Sequence, residues 1–248
     1  MSTTLLLGDC LNRMKEIPDS SVDLVITDPP YLMNHTTGGT KSIGMSDRWM
    51  GNIKAGNSVM GFEKTIRFAD WLPETYRILK DGGHCYIFCN DKNVKELLDE
   101  SSNARFRLSN ILVWLKNNAT PNRYYMKNCE FILFLYKGRA KPIRNMGTKA
   151  VVECQNIRGK DKRHPTEKPT ALLSTLIENS SEPGELVVDP FMGSGSTGVA
   201  AVNTERNFIG VEISTDYYAV AAGRISQAEA AKNMEEEHGQ CEDAQISL

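Results

Sequence analysis

A run of β-branched and aliphatic residues, Val22-Asp23-Leu24-Val25-Ile26-Thr27, ends abruptly at Asp28-Pro29-Pro30-Tyr31. Proline cannot donate to a sheet ladder, so the tetrapeptide lies just beyond the carboxyl end of a strand. It gathers a side-chain carboxylate (Asp28), a main-chain carbonyl held by consecutive prolines (that of Pro29) and an aromatic ring (Tyr31) into one rigid group. Such a group suits the activation of an amino group on a planar ring. The lone pair of that nitrogen is delocalised into the ring, and two acceptors aimed at its two protons favour a tetrahedral, nucleophilic atom. Tyr31 would stack on the ring. Taken singly, these residues are also a rigid loop end and a core tyrosine; the strand context favours the chemical reading.

A second group lies far along the chain. Leu186-Val187-Val188-Asp189 reads as a buried strand, Pro190-Phe191-Met192-Gly193-Ser194-Gly195 as a turn, and Ser196-Thr197-Gly198 as the opening of a helix. Glycines at such a strand-to-helix turn let a nucleotide approach the backbone. The next strand, Asn207 to Val211, ends at Glu212, roughly 20 residues on, the interval at which a carboxylate can bind ribose hydroxyls. Together they favour an adenosine-containing cofactor. The bland alternative is a tight turn without a ligand and a solvated strand end.

The elements that position these groups alternate. Thr3 to Leu7 reads as a short strand ending at Gly8-Asp9, followed by helical spacing at Leu11, Met14 and Ile17. Asp9 at that strand end can cap the helix or meet a ligand. Thr65 to Leu79 has helical spacing stopped by Asp81-Gly82-Gly83, before a strand over 84–88. Asn93 to Leu98 reads as helix, Leu108 to Leu115 and Phe131 to Tyr136 as strands, Thr170 to Asn179 as helix, and Tyr217 to Glu235 as a closing helix. This alternation implies an α/β fold with a mostly parallel, helix-covered sheet.

At 248 residues the chain suits one large α/β domain rather than two small ones. We expect a single catalytic domain over 1–235 and a disordered acidic tail over 236–248. The stretch 32–61 reads as a long loop and 137–163 as a weakly patterned basic insertion. The net charge is only −2, yet between Arg105 and Lys168 basic residues far outnumber Glu130, Glu153, Asp161 and Glu167. A phosphate-binding face can hide inside such an average. Arg123, Arg139, Lys141 and Arg144 are the candidate DNA contacts, with the stretch Asn118 to Tyr125 and the long loop beside them. Six cysteines are scattered without a C-x-x-C pair, which argues against a zinc site or a disulfide framework. No apolar run is long enough for a membrane span and the first residues show no leader pattern, so the expected compartment is the cytoplasm.

Four stretches, in order, resemble one known family. Thr27-Asp28-Pro29-Pro30-Tyr31 is similar to the catalytic motif of amino-methyltransferases, and Asp189-Pro190-Phe191-Met192-Gly193-Ser194-Gly195-Ser196-Thr197 to their cofactor motif. Gly8-Asp9-Cys10-Leu11 resembles their amino-terminal cofactor segment, and His164-Pro165-Thr166-Glu167-Lys168-Pro169 the segment before their glycine loop. The catalytic motif precedes the cofactor loop, an order similar to that of the β group of bacterial and phage DNA methyltransferases. The resemblance implies a Rossmann-like class I methyltransferase fold with circularly permuted motifs and helices on both faces of the sheet. It implies S-adenosyl-L-methionine as cofactor, no metal, and double-stranded DNA as partner; a homodimer and a cognate restriction endonuclease stay open.

By the same resemblance Asp28, Pro29, Pro30 and Tyr31 are catalytic. The cofactor set is Asp9, Cys10, Asp28, Thr166, Lys168, Asp189, Phe191, Gly193, Ser194, Gly195, Ser196, Thr197 and Glu212. In it Asp9 meets the adenine, Glu212 the ribose, and Lys168 with Thr166 and Ser196 the methionine carboxylate. Leu32 and Ser196-Thr197 depart from the pattern without removing a required chemical group. Asp as the first motif residue leans toward adenine N6, with cytosine N4 as the alternative. Methyl transfer to RNA or to a protein amide, nicotinamide-dependent oxidoreduction, and a non-catalytic DNA-binding subunit are the competing readings.

Overall fold

The computed structural model describes residues 1–30, 66–120, 124–157 and 167–246. Tyr31, the loop 32–61, Arg123 and Thr166 lie outside the described residues, as does the stretch 158–163 of the basic insertion. The strands are β1 (Thr3–Leu7), β2 (Val22–Thr27), β3 (Leu79–Cys89), β4 (Arg107–Thr120), β5 (Lys127–Tyr136), β6 (Val151–Glu153), β7 (Leu186–Asp189) and β8 (Asn207–Glu212). The helices are α1 (Cys10–Arg13), α2 (Phe68–Ile78), α3 (Val94–Asn103), α4 (Thr170–Ser180), α5 (Ser196–Asn203) and α6 (Thr215–Ile246).

The strands form one sheet in the order β1-β8-β7-β2-β3-β5-β4-β6. Neighbours are parallel except where β5 meets β3 and β4. Successive side chains of a strand point to opposite faces, and two cores follow from that alternation. Val25 of β2, Cys85 and Ile87 of β3, Leu133 and Leu135 of β5 and Val188 of β7 pack with α1, α2 and α3, around Met14, Trp71, Leu72 and Leu97. On the other face Leu24, Ile26, Tyr86, Phe88, Ile132, Phe134 and Val187 pack with α4, α5 and α6, around Leu173, Ile177, Ala201 and Ile225. Each fully buried aliphatic or aromatic side chain contributes about 1.5–3 kcal/mol, so the sheet is held from both sides. Among the described residues no helix is long and apolar enough to cross a membrane.

Several elements differ from the sequence expectation, each for a local reason. The helix expected over 10–17 is one α-turn, Cys10–Arg13, capped by Asp9 and followed by a 3₁₀ turn at Met14–Glu16. Asp81-Gly82-Gly83 does not precede β3 but lies inside it. Val22 pairs with Leu79 and Leu24 with His84, so residues 80–83 bulge out of the ladder, with Gly82 at φ +77°. The strands expected over 108–115 and 131–136 extend to Thr120 and back to Lys127, because a two-stranded ribbon open to solvent lacks the apolar alternation that marks buried strands. The stretch 137–163 contains the short β6, beside Val113 to Leu115. Helix α6 runs to Ile246, so the expected disordered tail is helical through 246; that stretch contains no proline and carries helix-favouring Glu and Gln at 236, 237, 240, 242 and 245.

The two motif-bearing strands, β2 and β7, are neighbours, with Leu24 opposite Val187 and Val25 opposite Val188. Asp189, only 3% exposed, ties their ends together. Its Oδ1 accepts from Thr27 Oγ1 (2.7 Å) and from the Phe191 amide (3.1 Å), and its Oδ2 from Thr197 Oγ1 (2.6 Å). One buried carboxylate thereby joins the end of β2, the turn after β7 and the first turn of α5. Burial pushes this carboxyl up to about 6, against the pull of the Thr197, Thr27 and Phe191 hydrogen bonds. A carboxyl raised in the folded state gives its full contribution below its unfolded pKa and loses it as pH rises through the folded value. Relative to Asp189→Asn, the unfolding free energy of the wild type should therefore fall by on the order of 2–3 kcal/mol between pH 4 and pH 7. Urea unfolding of both proteins at the two pH values measures this; a difference that does not change with pH refutes it.

Candidate active site

The carboxyl ends of β1, β8, β7, β2 and β3 lie along one edge of the sheet, because these strands are parallel. That edge collects Asp9, Glu212, the turn 190–195 and Asp28-Pro29-Pro30. Ligands in open α/β sheets bind outside the carboxyl ends of the strands.

The turn after β7 is held from three sides. Phe191 packs edge-on against fully buried Trp71 of α2, ring centroids 5.2 Å apart. Gly195 sits at φ +80°, and a Cβ there would lie 2.9 Å from Ala221 Cβ and 3.0 Å from its Cα, so α6 approaches as only glycine allows. Arg224 of α6 donates through Nη1 to the Ser194 carbonyl (2.7 Å), Ser194 Oγ (3.0 Å) and Ser196 Oγ (3.2 Å). Its Nη2 pairs with the buried Glu167 at 2.7 Å. From the fourth side Glu212 accepts from the Gly193 amide (3.0 Å) and the Ser214 amide (2.8 Å). Burial pushes the Glu212 carboxyl above its usual range, and these backbone donors pull it back only in part.

Asp9 is exposed and accepts from the Leu11 amide at 2.8 Å, the capping role that the sequence left open. Cys10 is buried beside it, and burial with the Asp9 charge pushes its thiol up to about 12. Asp189, at the end of β7, and Thr197, in the first turn of α5, are bonded to each other and so brace the turn 190–195 from its two ends.

Around Asp28 the structure assembles a row of charges that no motif announced. Lys168 Nζ donates to Asp28 Oδ2 at 2.5 Å and lies 3.2 Å from Glu130 Oε2. Lys116 pairs with the other oxygen of Glu130, and the Lys168 ammonium sits 5.1 Å from the centroid of the Phe88 ring. Burial works to strip Lys168 of its proton, but Asp28 and Glu130 outweigh it and hold the ammonium above its ordinary value. Burial likewise works to raise Glu130, and Lys168 with Lys116 hold its carboxyl below the usual range. Asp28-Lys168-Glu130-Lys116 thus alternate in sign from one end to the other. Glu130 and Lys116 escaped the sequence reading; the available signal was a lone charge abutting each buried run, Phe131 to Tyr136 and Leu112 to Leu115.

Three of the expected DNA contacts are not at this edge. Strand β5 runs against β3, with Phe131 opposite Cys89 and Tyr136 opposite His84. The chain therefore leaves β5 at the far edge, about 17 Å away along the strands. There the Lys137 carbonyl accepts from the Gly82 amide (2.8 Å), the Lys141 carbonyl lies 3.0 Å from His84 Nε2, and the Arg144 amide donates to the Asn179 carbonyl (2.9 Å). Arg139, Lys141 and Arg144 are exposed on the side opposite Asp28, and Arg144 pairs with Glu182 at 2.9 Å. The same reversal brings the tip of the β4-β5 hairpin to the Asp28 edge, with Tyr124 82%, Tyr125 93% and Met126 62% exposed.

A turn with two left-handed glycines, Gly193 (φ +51°) and Gly195, flanked by the carboxylates of Glu212, Asp9 and Asp28, fits a ligand that offers hydroxyl donors and carries positive charge. A ribose and a sulfonium meet both requirements. Residues 22–223 match the family model described as DNA methylase. The chain is 31% identical to the Type II methyltransferase M.HinfI of Haemophilus influenzae, over 93% of this chain and 70% of that protein. It is 30% identical to the Type II methyltransferase M2.MboI of Moraxella bovis, over 89% of this chain and 86% of that protein. Among solved structures it is similar to the M1.HpyAVI–SAM complex, with a TM-score of 0.65, 27% identity, and coverage of 90% of this chain and 99% of that one. With Asp28-Pro29-Pro30 and the turn 190–195 following adjacent parallel strands, the chain belongs to the DNA methylase family, as an S-adenosylmethionine-dependent DNA amino-methyltransferase.

Proposed function

We propose that this enzyme methylates the N6 amino group of adenine in double-stranded DNA. The observation that carries the reading is the position of Asp28, one strand over from the cofactor turn and tied to it through Thr27 and Asp189. S-adenosylmethionine supplies a methyl group on a positively charged sulfur, which leaves as a neutral thioether. The chain's own residues supply position and charge. The Asp28 carboxylate and the Pro29 carbonyl would accept hydrogen bonds from the two amino N–H groups, leaving the nitrogen lone pair free to take the methyl group. The one proton that the methylated nitrogen must lose would leave by way of the Asp28 carboxylate to solvent. The target base must leave the duplex stack to reach them. Tyr31, next in the chain, is assigned to stack on it.

Glu212 is assigned to the ribose hydroxyls, Asp9 to the adenine of the cofactor, and the turn 191–195 to its close approach. Ser196, whose Oγ also accepts from Arg224, Thr166 and Lys168 are assigned to its methionine end. Lys168 already donates to Asp28, so it would serve the methionine carboxylate and the acceptor motif together. For DNA, the Asp28 edge replaces the basic stretch 139–144. Tyr124 and Tyr125 are exposed there, and stacking on an aromatic side chain is worth about 1–3 kcal/mol per base.

Asp28→Ala should reduce single-turnover methyl transfer by at least about a thousandfold, a loss of about 4 kcal/mol of transition-state stabilisation, while a thermal shift with S-adenosylmethionine remains. Near-normal turnover would remove Asp28 from the chemistry. DNA methylated by the enzyme and digested to nucleosides should yield N6-methyl-2′-deoxyadenosine by mass spectrometry; N4-methyl-2′-deoxycytidine would establish the alternative base. Neutralising Arg139, Lys141 and Arg144 together should leave the salt dependence of DNA binding unchanged, whereas Tyr124→Ala with Tyr125→Ala should weaken binding roughly tenfold. A slope reduced by about one or more for the triple variant would return that segment to the interface.

A further inference from the structure

We propose that Glu130, charge-balanced by Lys116, is a positioning residue for methyl transfer: it shares Lys168 with Asp28 and so sets how tightly the acceptor carboxylate is clamped. The inference rests on the reading of Asp28 as the amino-group acceptor. Lys168 is 8% exposed and stands between two carboxylates, 2.5 Å from Asp28 Oδ2 and 3.2 Å from Glu130 Oε2. The shorter contact is a hydrogen bond. The longer one is an ion pair off the hydrogen-bond line, for Glu130 Oε2 is buried without a hydrogen-bond partner. Glu130 therefore holds the ammonium more loosely than Asp28 does, and the division of Lys168 between the two carboxylates is open to adjustment.

The adjustment matters because the same carboxylate must accept a substrate proton. A lysine held wholly by Asp28 competes with the amino group for its oxygens. A lysine drawn wholly to Glu130 takes its charge away from Asp28, which lies close enough to the buried Asp189 to act to raise it. Lys116 keeps Glu130 from taking Lys168 outright. It stands on β4, Glu130 on β5, Asp28 after β2 and Lys168 just before α4, so four separate elements meet in one row.

The titratable groups around Asp28 among the described residues include Lys168, Glu130, Lys116, Asp189 and Cys89. Burial, with Asp28 and Glu130 adding to it, pushes the Cys89 thiol up to about 12, so it stays neutral through the working range. The sign of each substitution then follows. Glu130→Gln removes an anion and leaves Lys168 to Asp28, so the carboxylate holds its charge to lower pH. Lys116→Met removes a cation and leaves Glu130 to draw Lys168 away, so Asp28 takes a proton at higher pH.

The test is single-turnover methyl transfer to unmethylated duplex DNA from pH 5 to pH 9, with saturating S-adenosylmethionine, for the wild type, Glu130→Gln, Lys116→Met and the double variant. We expect the acid limb of the rate profile to move down by about one pH unit in Glu130→Gln and up by about one unit in Lys116→Met. The double variant should return to within about half a unit of the wild type. The plateau rate should fall at least about tenfold in Glu130→Gln with the apparent affinity for DNA unchanged, and Glu130→Asp should restore part of it. Single variants whose acid limbs stay put, or move the same way, overturn the proposal. If a single variant does not fold, as judged by its melting curve, Glu130→Asp decides: an acid limb and a plateau rate that both stay at the wild-type values overturn the proposal. Full turnover by Asp28→Asn in the same assay would instead overturn the parent reading of Asp28, so the two failures are distinct.

Discussion

The geometry of the active edge depends on one buried carboxylate. Asp189 accepts three hydrogen bonds, from Thr27, Phe191 and Thr197, and those donors come from the end of β2, the turn after β7 and the start of α5. An ionised carboxylate out of water is costly unless its oxygens are satisfied, so the three segments are held together by the need to satisfy it. The amino end of α5 adds the favourable end of a helix dipole. Because Thr27 immediately precedes Asp28, this one contact registers the acceptor motif against the cofactor turn. Two motifs separated by about 160 residues of chain become a single site.

The adjacency of β2 and β7 also explains how a permuted chain order is tolerated. A parallel sheet requires that each strand lie in register beside its neighbours, not that neighbours follow one another in the chain. Here the acceptor strand is second in the chain and the cofactor strand seventh, yet Leu24 faces Val187 and Val25 faces Val188. Helices α1 to α3 cover one face and α4 to α6 the other, so the central strands β2, β3 and β7 bury both of their rows of side chains. Nothing in that packing depends on which motif is synthesised first.

A single reversed strand decides what surrounds the site. Since β5 runs against its neighbours, its first residues, including Glu130, arrive at the active edge and its last leave at the opposite one. The reversal therefore carries Glu130 toward Lys168 and sends Arg139, Lys141 and Arg144 away. It also places Tyr124 and Tyr125, between β4 and β5, at the edge that carries Asp28. Burying a charged row is tolerable here because its signs alternate, and removing one partner from such a row leaves an uncompensated charge.

The sequence by itself determined the reaction class and most of the elements. Strands with a continuous apolar run, such as Val22 to Thr27 and Leu186 to Asp189, are legible because they are buried on both faces, and Asp28-Pro29-Pro30 and Gly193-Ser194-Gly195 are legible because proline and glycine restrict or free the backbone whatever surrounds them. Only the tertiary structure decided that Asp9 caps α1, that Asp189 and Thr197 brace the cofactor turn from its two ends, and that Lys168 is shared between Asp28 and Glu130. Strand direction is likewise silent in the chain. Excess basic charge over 137–163 suggested a DNA face, but charge content carries no information about which end of a strand a loop leaves from. The physical reason is common to all of these: backbone preference is local, whereas a hydrogen-bond or ion partner is chosen by what the finished fold brings within about 3 Å.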